Sequence, residues 1–533
     1  MSSADVLLAA EAQMRSAGPL LAGRLPELLD NGHPDRPAVT FRDRTVSYRE
    51  LSGMVSAAAA GLCRLGVRPG ERVAVYLDKR IETVAVLFAV SAAGAVLVPV
   101  NPVARPRQLA YVVEDCSAAV LVTTPERLAT VDATGAALPS LRHVVVLGGP
   151  SRSTRRDVTT WDELCRPGPP RPEPPGPAAD EIAAIFYTSG STGGPKGVVV
   201  THGNLLTGAW SVAGYLEHTA EDVVLAVLPL SFDAGFSQLT TAFAVGAHVV
   251  LVNYLLPREV VRLCERHAVT ALTCVPPLWW QLAEQAWPPA ATRHLRYFAS
   301  TGGRMPAPVL DRLRAVFPAA APYLMYGLTE AFRSTYLDPA QVDRRPESIG
   351  RAIPGAEVLV VRPDGSPCAP GEPGELVHRG PLVALGYWND PERTRQRFRP
   401  YPPGGELAVW SGDTVYRDAE GYLYFVGRAD DMIKTSGYRV SPSEIEDAAY
   451  ASGLVGEAVA FGVPDDVLGQ HIVLAVAGRG GQPCDTDRLA ATLRRDLPAY
   501  QVPRRLLGLA GLPRSGNGKF DRAALSLQVA GGA

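Results

Sequence analysis

A run of glycine, serine and threonine residues precedes a lysine in the stretch IFYTSGSTGGPKG (185–197). Glycines let backbone amides come close to a ligand, and the hydroxyl groups add further donors, which together suit a polyphosphate. The stretch is not a Walker A loop, because Pro195 stands five residues after Gly190, where that motif has its second glycine. The composition predicts a phosphate-binding loop of another kind, with a plain surface loop as the alternative.

Lysine is rare in this chain, so its few positions are informative. Of 52 lysines and arginines only four are lysines, namely Lys79, Lys196, Lys434 and Lys519. An ammonium group is a compact charge that can bridge oxygens on two different groups, whereas the planar arginine fork prefers one bidentate partner. Lysines are therefore expected where arginine would fail, although we expect Lys79 to be an ordinary surface residue. For Lys519, a solvated loop charge is the alternative to a chemical role.

The bulk properties describe a globular protein of more than one domain. The chain has 533 residues, of which 47% are apolar and 20% charged, and it exceeds the size of a single core. Its formal net charge of -2 argues against nucleic-acid binding driven by bulk charge. Seven scattered cysteines without metal-ligand spacing indicate a reduced, cytoplasmic setting. The apolar run 84–100 contains Gly94 and Pro99, which favours a buried helix and strand over a membrane span.

The elements that must position these residues fall into regions with different patterns. Up to about residue 330, short apolar runs alternate with helical patterns, as in 71–100 and 247–275, which predicts βαβ units and largely parallel sheets. After about residue 350 the alternation around a turn at 363–365 predicts antiparallel strands. A small α+β domain is predicted from about residue 431, and the proline-rich stretch 167–177 is interpreted as a linker or surface loop.

Four motifs in chain order resemble the signatures of adenylate-forming enzymes, which include acyl-CoA synthetases, adenylation domains and firefly-type luciferases. They are YTSGSTGGPKG (187–197), YGLTE (326–330), SGD (411–413) followed by GRADDMIKTSGYRVSPSEIE (427–446), and GNGKFDR (516–522). The resemblance covers almost the whole chain. It implies an α/β fold with a large N-terminal domain (1–429) of layered α/β subdomains and a distorted β-barrel part. A small, mobile α+β C-terminal domain (430–533) would follow, hinged near Asp430.

The resemblance implies a nucleotide site residue by residue. Tyr326 is expected to stack on adenine, and Asp413 to bond the ribose hydroxyls with Arg428 beside it. Thr329 would contact the α-phosphate, and Glu330 would bind Mg2+. The β- and γ-phosphates of ATP would be held by a set around the glycine-rich loop, comprising Thr188, Ser189, Gly190, Ser191, Thr192, Gly193 and Lys196.

One position departs from the family pattern. Some members carry an amide side chain two residues before the tyrosine, where this chain has Leu324. Adenine recognition is therefore expected to depend more on backbone groups, such as those of Gly302 and Gly303, with Gly327 at the same site.

The implied reaction joins a carboxylate to the α-phosphate of ATP and releases pyrophosphate. Because the two anions repel each other, positive charge must lie where the bond forms. Mg2+ would supply part of it. Lys519 is expected to bridge the carboxylate and a phosphate oxygen, with Thr329, Glu330 and Lys196 as the other catalytic candidates. A phosphopantetheine thiol, on a separate carrier protein or on coenzyme A, would then attack the mixed anhydride.

The resemblance further implies that the small domain swings about the hinge and presents a second face to the thiol. That face would include Lys434, Gly437 and Tyr438, with Arg439 near phosphates. The pair Ser436–Gly437 offers a small-residue stretch along which a pantetheine tunnel could pass. A plain β-turn is the alternative for any single one of these residues.

The stretch LPLSFDAGFSQL (228–239) is expected to line the acid pocket. In the amino-acid-activating branch of the family, an aspartate at the position of Asp233 pairs with the substrate's amino group. An amino acid, with either an α- or a β-amino group, is therefore favoured, and a helix-capping aspartate is the alternative. Arg333 is expected either to hold a second substrate carboxylate or to pair with Asp233. The remaining residues expected at this pocket are Phe232, Ser300, Thr301 and Gly302.

Three classes of function compete for this sequence. A carboxylate–thiol ligase that activates an amino or β-amino acid for a carrier protein is favoured, and an acyl-CoA ligase for a fatty or other non-amino acid is the alternative. A kinase or ATPase is disfavoured because the Walker A loop is missing. A nucleotide-binding module without catalysis is disfavoured because Lys519, Glu330 and Asp413 are all present. No membrane or nucleic-acid partner is expected.

Overall fold

The structure of the chain is a computed structural model in which most residues are described. These are residues 23–133, 137–149, 157–168, 179–188, 195–303, 305, 307–428, 432–478, 483–513 and 522–530. Three sheets organise the described part of the chain, two in the large N-terminal region and one in the small C-terminal region.

The first sheet has eight described strands and carries the predicted phosphate loop at one end. In sheet order they are Gly386–Tyr387, Lys196–Thr201, Ile182–Thr188, Val96–Pro99, Arg72–Val75, Val120–Thr123, His143–Val146 and Asp157–Thr160. The strands from Val96–Pro99 onward pair in parallel, and Ile182–Thr188 pairs antiparallel with Lys196–Thr201. The predicted βαβ unit of residues 71–100 is confirmed, because the helix Ile81–Ala92 connects two parallel neighbours.

The second sheet has fourteen described strands. They are Pro37–Phe41, Arg44–Ser47, Val223–Ala226, His248–Leu251, Ala271–Cys274, Tyr297–Ser300, Ala321–Tyr326, Thr335–Leu337, Ser348–Ala352, Glu357–Val361, Gly374–Arg379, Phe398–Pro400, Leu407–Arg417 and Leu423–Arg428. Pairing is parallel from Val223–Ala226 to Ala321–Tyr326 and antiparallel from Thr335 onward, as the two sequence patterns predict. Pairing among these described strands leaves the sheet open, so the distorted barrel stays a prediction.

Helices cover both sheets. The helices of the large region are Leu25–Asn31, Tyr48–Arg64, Ile81–Ala92, Pro106–Asp115, Pro125–Ala133, Trp161–Leu164, His202–Tyr215, Asp233–Ala244, Pro257–His267, Pro276–Ala283, Pro289–Thr292, Ala307–Val316, Thr329–Ala331, Pro339–Gln341 and Pro391–Arg397. The apolar run at 84–100 is a buried helix and a strand, with the Phe88 ring 5.4 Å from that of Phe243. Within the described ranges, none of the helices combines the length and the apolar character needed to cross a membrane.

The small region is an α+β unit with its own core. Its strands are Ile433–Thr435, Tyr438–Val440, Glu457–Asp465, Gly469–Ala477 and Arg505–Leu509, and its helices are Pro442–Ala451, Thr486–Asp496, Ala499–Gln501 and Arg522–Ala530. Ile445, Leu474 and Leu489 pack together between sheet and helices. A large N-terminal domain followed by a smaller C-terminal domain is therefore confirmed. The boundary and hinge expected at Asp430 lie outside the described residues and stay predictions.

The expectation that Lys79 is a surface residue is wrong. Lys79 is only 8% exposed, and its ammonium group donates a hydrogen bond to the Ala226 carbonyl at 2.8 Å. The Asn253 amide accepts from the Lys79 backbone N–H and donates to its carbonyl. Burial lowers the pKa of Lys79 to about 7. The lysine therefore joins two segments in the interior of the large domain.

The Lys79→Met variant is expected to change how stability depends on pH. Between about pH 7 and pH 10 the folded wild type holds this lysine neutral, while the unfolded chain still binds the proton. The Lys79 group therefore adds about 1.4 kcal/mol of stability per pH unit as the pH rises through this window. Urea unfolding at several pH values should show this slope in the wild type and its absence in the variant. Equal slopes for both proteins would contradict the burial of a titrating lysine.

Candidate active site

A buried triangle of polar groups forms the centre of the site. The Lys196 ammonium donates to the Glu330 carboxylate at 2.8 Å and to the Tyr387 hydroxyl at 2.8 Å. The Tyr387 hydroxyl in turn donates to the same Glu330 oxygen at 2.7 Å. The side chains of Lys196 and Glu330 are both almost fully buried, so the removal of either partner would leave an uncompensated charge and cost about 3–5 kcal/mol.

Each corner of this triangle comes from a different part of the fold. Lys196 opens the strand Lys196–Thr201, and its cross-strand partner is Thr188. Glu330 lies in the short helical turn that follows the strand Ala321–Tyr326 in the second sheet. Tyr387 belongs to the two-residue strand that pairs with the Lys196 strand. The triangle therefore fixes the end of the predicted phosphate hairpin against the second sheet.

The charges of the triangle depend on each other. Burial lowers the pKa of Lys196 to about 8, although Glu330 acts in the opposite direction. At Glu330 burial alone would raise the pKa, but the charges of Lys196 and Arg439 outweigh it and hold the pKa of the carboxyl well below its usual range. Near neutral pH the site therefore presents an ionised carboxylate and an ammonium close to its titration point.

Glu330 is suited to the Mg2+ role that the sequence predicts. Magnesium is usually held by one or two carboxylates together with substrate phosphates. The Glu330 carboxylate is ionised, and it lies beside the strand that leads out of the phosphate hairpin. The described residues contain no group of three or more His, Cys, Asp or Glu that could form an all-protein cage. When bound there, Mg2+ would neutralise phosphate charge.

The predicted ribose and adenine residues meet at one end of the same cavity. The Tyr326 hydroxyl donates a short hydrogen bond to the Asp413 carboxylate, and Asp413 is buried on the strand Leu407–Arg417. Its cross-strand partner is Arg428, as the motif order implies. Thr188 also lines the cavity, and its hydroxyl is buried without a hydrogen-bond partner. The other predicted nucleotide residues along this wall are Gly302, Gly303, Gly327 and Thr329.

Some predicted site residues cannot be placed. Ser189, Gly190, Ser191, Thr192, Gly193, Asp430 and Lys519 lie outside the described residues, and so does the side chain of Arg428. What the structure does fix is the pair of residues at the ends of the glycine-rich loop, because Thr188 and Lys196 face each other across the hairpin.

The predicted acid-pocket residues also gather in this cavity, whose volume is about 1250 Å3. Asp233 is the first residue of the helix Asp233–Ala244, and Phe232 holds the cap position. Backbone N–H groups at the start of the helix, including that of Ala234, act on the Asp233 carboxyl, so a role at the helix N-terminus stays the alternative. Removal from bulk water raises the pKa of Asp233, and the nearby charge of Arg333 opposes that rise. Arg333 is buried, and it donates to the Thr301 hydroxyl at 2.8 Å. Within the described chain, Asp233 and Arg333 do not come within ion-pair distance of each other.

The small domain presents the predicted thiol face to the large domain. The Tyr438 ring packs edge-on against Phe232 with centroids 5.3 Å apart. Gly437 has φ +79° and lies so close to Val275 that a Cβ atom would come within 2.7 Å of its side chain. Only glycine avoids both the strain and the clash. Arg439 is near enough to lower the pKa of Glu330. The Lys434 ammonium lies 4.8 Å from the centre of the Phe425 ring.

Further contacts hold the two domains in this arrangement. Arg105 donates to the Leu497 carbonyl at 3.3 Å, near the end of a helix in the small domain. The Gln108 amide donates to the Gln501 amide oxygen at 3.2 Å. These contacts join the helix Pro106–Asp115 of the large domain to the small domain, and they exist only while the two domains keep this orientation.

Sequence reasoning missed two residues of the site. Tyr387 is separated from Lys196 by 191 residues and belongs to no motif that the sequence analysis recognised. Tyr500 stacks on Tyr438 with ring centroids 3.7 Å apart. The only signal for Tyr387 was its place in GYW (386–388), directly after a glycine, which is too common a pattern to indicate a site.

Comparison with known proteins identifies the family. Residues 29–388 match the AMP-binding enzyme family, and residues 444–519 match the AMP-binding enzyme C-terminal domain. The chain therefore belongs to the adenylate-forming, AMP-binding enzymes, and the resemblance of its motifs is confirmed.

Curated relatives divide between two kinds of acceptor. The L-proline--[L-prolyl-carrier protein] ligase of Pseudomonas fluorescens is 32% identical over 94% of this chain and 97% of its own length. The feruloyl-CoA synthase of an Amycolatopsis species is 33% identical over 91% of this chain and 94% of its own length. The chain also matches a linear gramicidin synthase protein of Brevibacillus parabrevis, with 30% identity over 92% of this chain, but it spans only 9% of that relative's length.

A solved structure supports the same fold. The amide bond synthetase McbA from Marinactinospora thermotolerans matches with a TM-score of 0.83 and 28% identity, covering 95% of this chain and 99% of that one. This chain is therefore an enzyme of the ligase type that uses ATP. The acid and the acceptor differ among its relatives.

ATP binding is expected to weaken as the pH rises through about 8, because Lys196 loses its charge there. The Kd for ATP, measured by calorimetry in a series from about pH 6 to pH 10, should increase in the upper half of the range. The Lys196→Arg variant keeps its charge throughout and controls for the titration of ATP itself. Its affinity should be lower but almost constant above pH 8. A wild-type Kd that is equally constant would contradict the role of Lys196.

Proposed function

We propose that this chain uses ATP to activate an amino or β-amino acid and then transfers the acyl group to the phosphopantetheine thiol of a separate carrier protein. The observation that carries the proposal is Asp233, a carboxylate that forms no ion pair with any described residue and lies in a cavity that it shares with Glu330. A carboxylate held away from bulk water in this way is costly unless a cation joins it. A substrate ammonium group supplies that cation.

The nucleotide end of the cavity supplies the chemistry of the first step. Lys196 and Thr188 receive the β- and γ-phosphates, and Tyr326 and Asp413 receive adenine and ribose. Glu330 would hold Mg2+, which would neutralise phosphate charge. The terminal lysine, at position 519, then bridges the acid carboxylate and an α-phosphate oxygen, which allows the new C–O–P bond to form as pyrophosphate leaves. The Lys196 and Glu330 side chains are almost fully buried, which strengthens the interactions of their charges.

The domain arrangement supports a second step. Gly437, Tyr438 and Arg439 face the large domain and border the cavity, so a narrow arm that enters between the domains would pass the Gly437 backbone and reach the adenylate. The resemblance to a prolyl-carrier ligase favours a carrier protein as the acceptor. Seven free thiols are consistent with a reducing, cytoplasmic setting.

A coenzyme A ligase for a non-amino acid is the second candidate. It is favoured by the equal similarity to feruloyl-CoA synthase, whose name gives an acid without an amino group. In that case Asp233 would have to remain protonated, which agrees with its raised pKa. The Asp233 carboxyl would then have no charged group of the substrate to bind.

ATP–pyrophosphate exchange with a panel of amino, β-amino, fatty and aryl acids tests the acid. Amino acids are expected to support exchange, and Asp233→Asn should lower kcat/KM for them by about 10²-fold or more, because the ammonium group loses its charged partner. Asp338→Asn, an exposed aspartate outside the cavity, is the matched control and should leave the acid profile unchanged. Exchange supported only by acids without an amino group would refute the role of Asp233.

The two half-reactions are expected to separate by mutation. Lys519→Ala should lower pyrophosphate exchange by about 10²–10³-fold while sparing attack of a thiol on preformed acyl-adenylate. Gln108→Ala, which removes a contact specific to this domain arrangement, should slow only the thiol step. The rate of acyl transfer from preformed adenylate is measured in a single turnover, first with a carrier protein and then with coenzyme A. The thiol that reacts faster identifies the acceptor. Equal loss of both half-reactions in Gln108→Ala would contradict the assignment of this arrangement to thiol transfer.

A further inference from the structure

One buried arginine differs from the others in the described chain. Three arginines are buried there, namely Arg24 at 8%, Arg333 at 4% and Arg345 at 6% exposure. Arg24 pairs with Glu181 at 2.6 Å, and Arg345 pairs with Glu420 at 2.5 Å. Arg333, the most buried of the three, has no aspartate or glutamate oxygen of the described residues within 4.0 Å. A buried charge without a partner is destabilising, and a guanidinium group cannot avoid this by losing its proton. Arg333 is therefore expected to bind an anion.

The polar groups around Arg333 are only partly satisfied. Its Nη1 donates to the Thr301 hydroxyl at 2.8 Å, and the guanidinium also lies beside the Tyr215 hydroxyl, but its Nε is buried without a hydrogen-bond partner. The hydroxyl of Ser300, the residue before Thr301, is also buried without a partner. Arg333 and Ser300 line the cavity together with Asp233. One wall of the acid pocket therefore carries a fixed positive charge, with two buried donors beside it that have no hydrogen-bond partner among the described residues.

The backbone that places Arg333 is strained. Phe332 has φ +57° and ψ −69°, and the Arg333 amide donates to the Ala331 carbonyl at 2.6 Å, which defines a γ-turn of a rare kind. The Phe332 ring lies where a side chain at Gly208 would be, which holds the turn in place. Strain of this kind persists where the surrounding structure enforces it, and it clusters at ligand sites. The turn sets Arg333 on the wall of the cavity.

Asp233 and Arg333 carry opposite charges in one cavity without touching. Arg333 is near enough to influence the pKa of Asp233, yet no ion pair forms between them. A ligand that lies between them and carries both an ammonium group and an anion would satisfy both residues. The reacting carboxylate cannot be that anion, because in the proposed reaction it must lie at the α-phosphate, where Thr329 is expected.

We propose that Arg333 and Ser300 bind a second carboxylate of the substrate, so that the enzyme activates an amino dicarboxylic acid. This inference rests on the proposed function, since it adds to the ammonium site at Asp233. The reacting carboxylate lies at the α-phosphate, the amino group at Asp233, and the second carboxylate pairs with the Arg333 guanidinium on the wall that Ser300 shares. The enzyme therefore selects its acid by the positions of two carboxylates and one ammonium group, and not by the shape of an apolar pocket alone.

Pyrophosphate exchange with matched acids tests this assignment. The panel contains aspartate, β-linked and longer amino dicarboxylates, their side-chain amides such as asparagine and glutamine, and alanine, β-alanine and proline. A dicarboxylate is expected to exceed its own amide in kcat/KM by at least about 10²-fold, because the amide leaves the guanidinium unpaired. Arg333→Met should abolish that preference, and Arg333→Lys should retain part of it. Arg345→Met, an equally buried arginine that already has carboxylate partners, should keep it.

The outcomes distinguish this inference from the proposed function. If monocarboxylic amino acids or amides exchange as well as dicarboxylates in the wild type, the second-carboxylate site is refuted while amino-acid activation stands. If no acid with an amino group exchanges, the proposed function itself fails. If Arg333→Met does not fold, as judged by thermal melting and ATP binding, the dicarboxylate-to-amide ratio of the wild type and of Arg333→Lys decides the question.

Discussion

The buried ion pair between Lys196 and Glu330 is the constraint on which the rest of the site depends. Two opposite charges removed from water are tolerated only when they meet each other, so their contact fixes where the first sheet lies against the second. Tyr387 completes the contact from a third segment. If the phosphates of ATP bind beside this pair, as we propose, they meet charges that the fold has already oriented.

Buried charges need partners, and this requirement distinguishes charges that stabilise the fold from charges that are proposed to bind a ligand. Arg345 is buried and satisfied by carboxylates of its own chain, and it stabilises the fold. Asp233 and Arg333 lie in the cavity and are not joined by an ion pair. Apolar residues such as Phe232 and Val275 line the space around them, which lowers the local dielectric and raises the cost of leaving each charge unpaired. The proposed recognition of the acid therefore rests on the charges of Asp233 and Arg333 more than on the size of the pocket.

The small domain is part of the site rather than a cover over it. The contact of Gly437 with Val275 brings the two domains together at the cavity, where any larger residue would hold them apart. Tyr438 extends this contact by packing between Phe232 and Tyr500. The charge of Arg439 lowers the pKa of Glu330 across the interface, so the position of the small domain changes the electrostatics around Lys196 and Glu330. Movement of that domain would therefore change both access and charge at once.

The sequence by itself determined the fold class and the parallel and antiparallel halves of the second sheet, because local periodicity is a property of neighbours in the chain. Its motifs resemble those of the adenylate-forming family and so predict the residues of the nucleotide site. It placed Asp233 and Arg333 in one pocket but did not decide whether they pair. It assigned Lys79 to the surface, since burial depends on what packs from distant segments. Only the tertiary structure decided that Tyr387 joins Lys196 and that Arg333 forms no ion pair with the described residues, because contacts between residues far apart in sequence leave no local pattern.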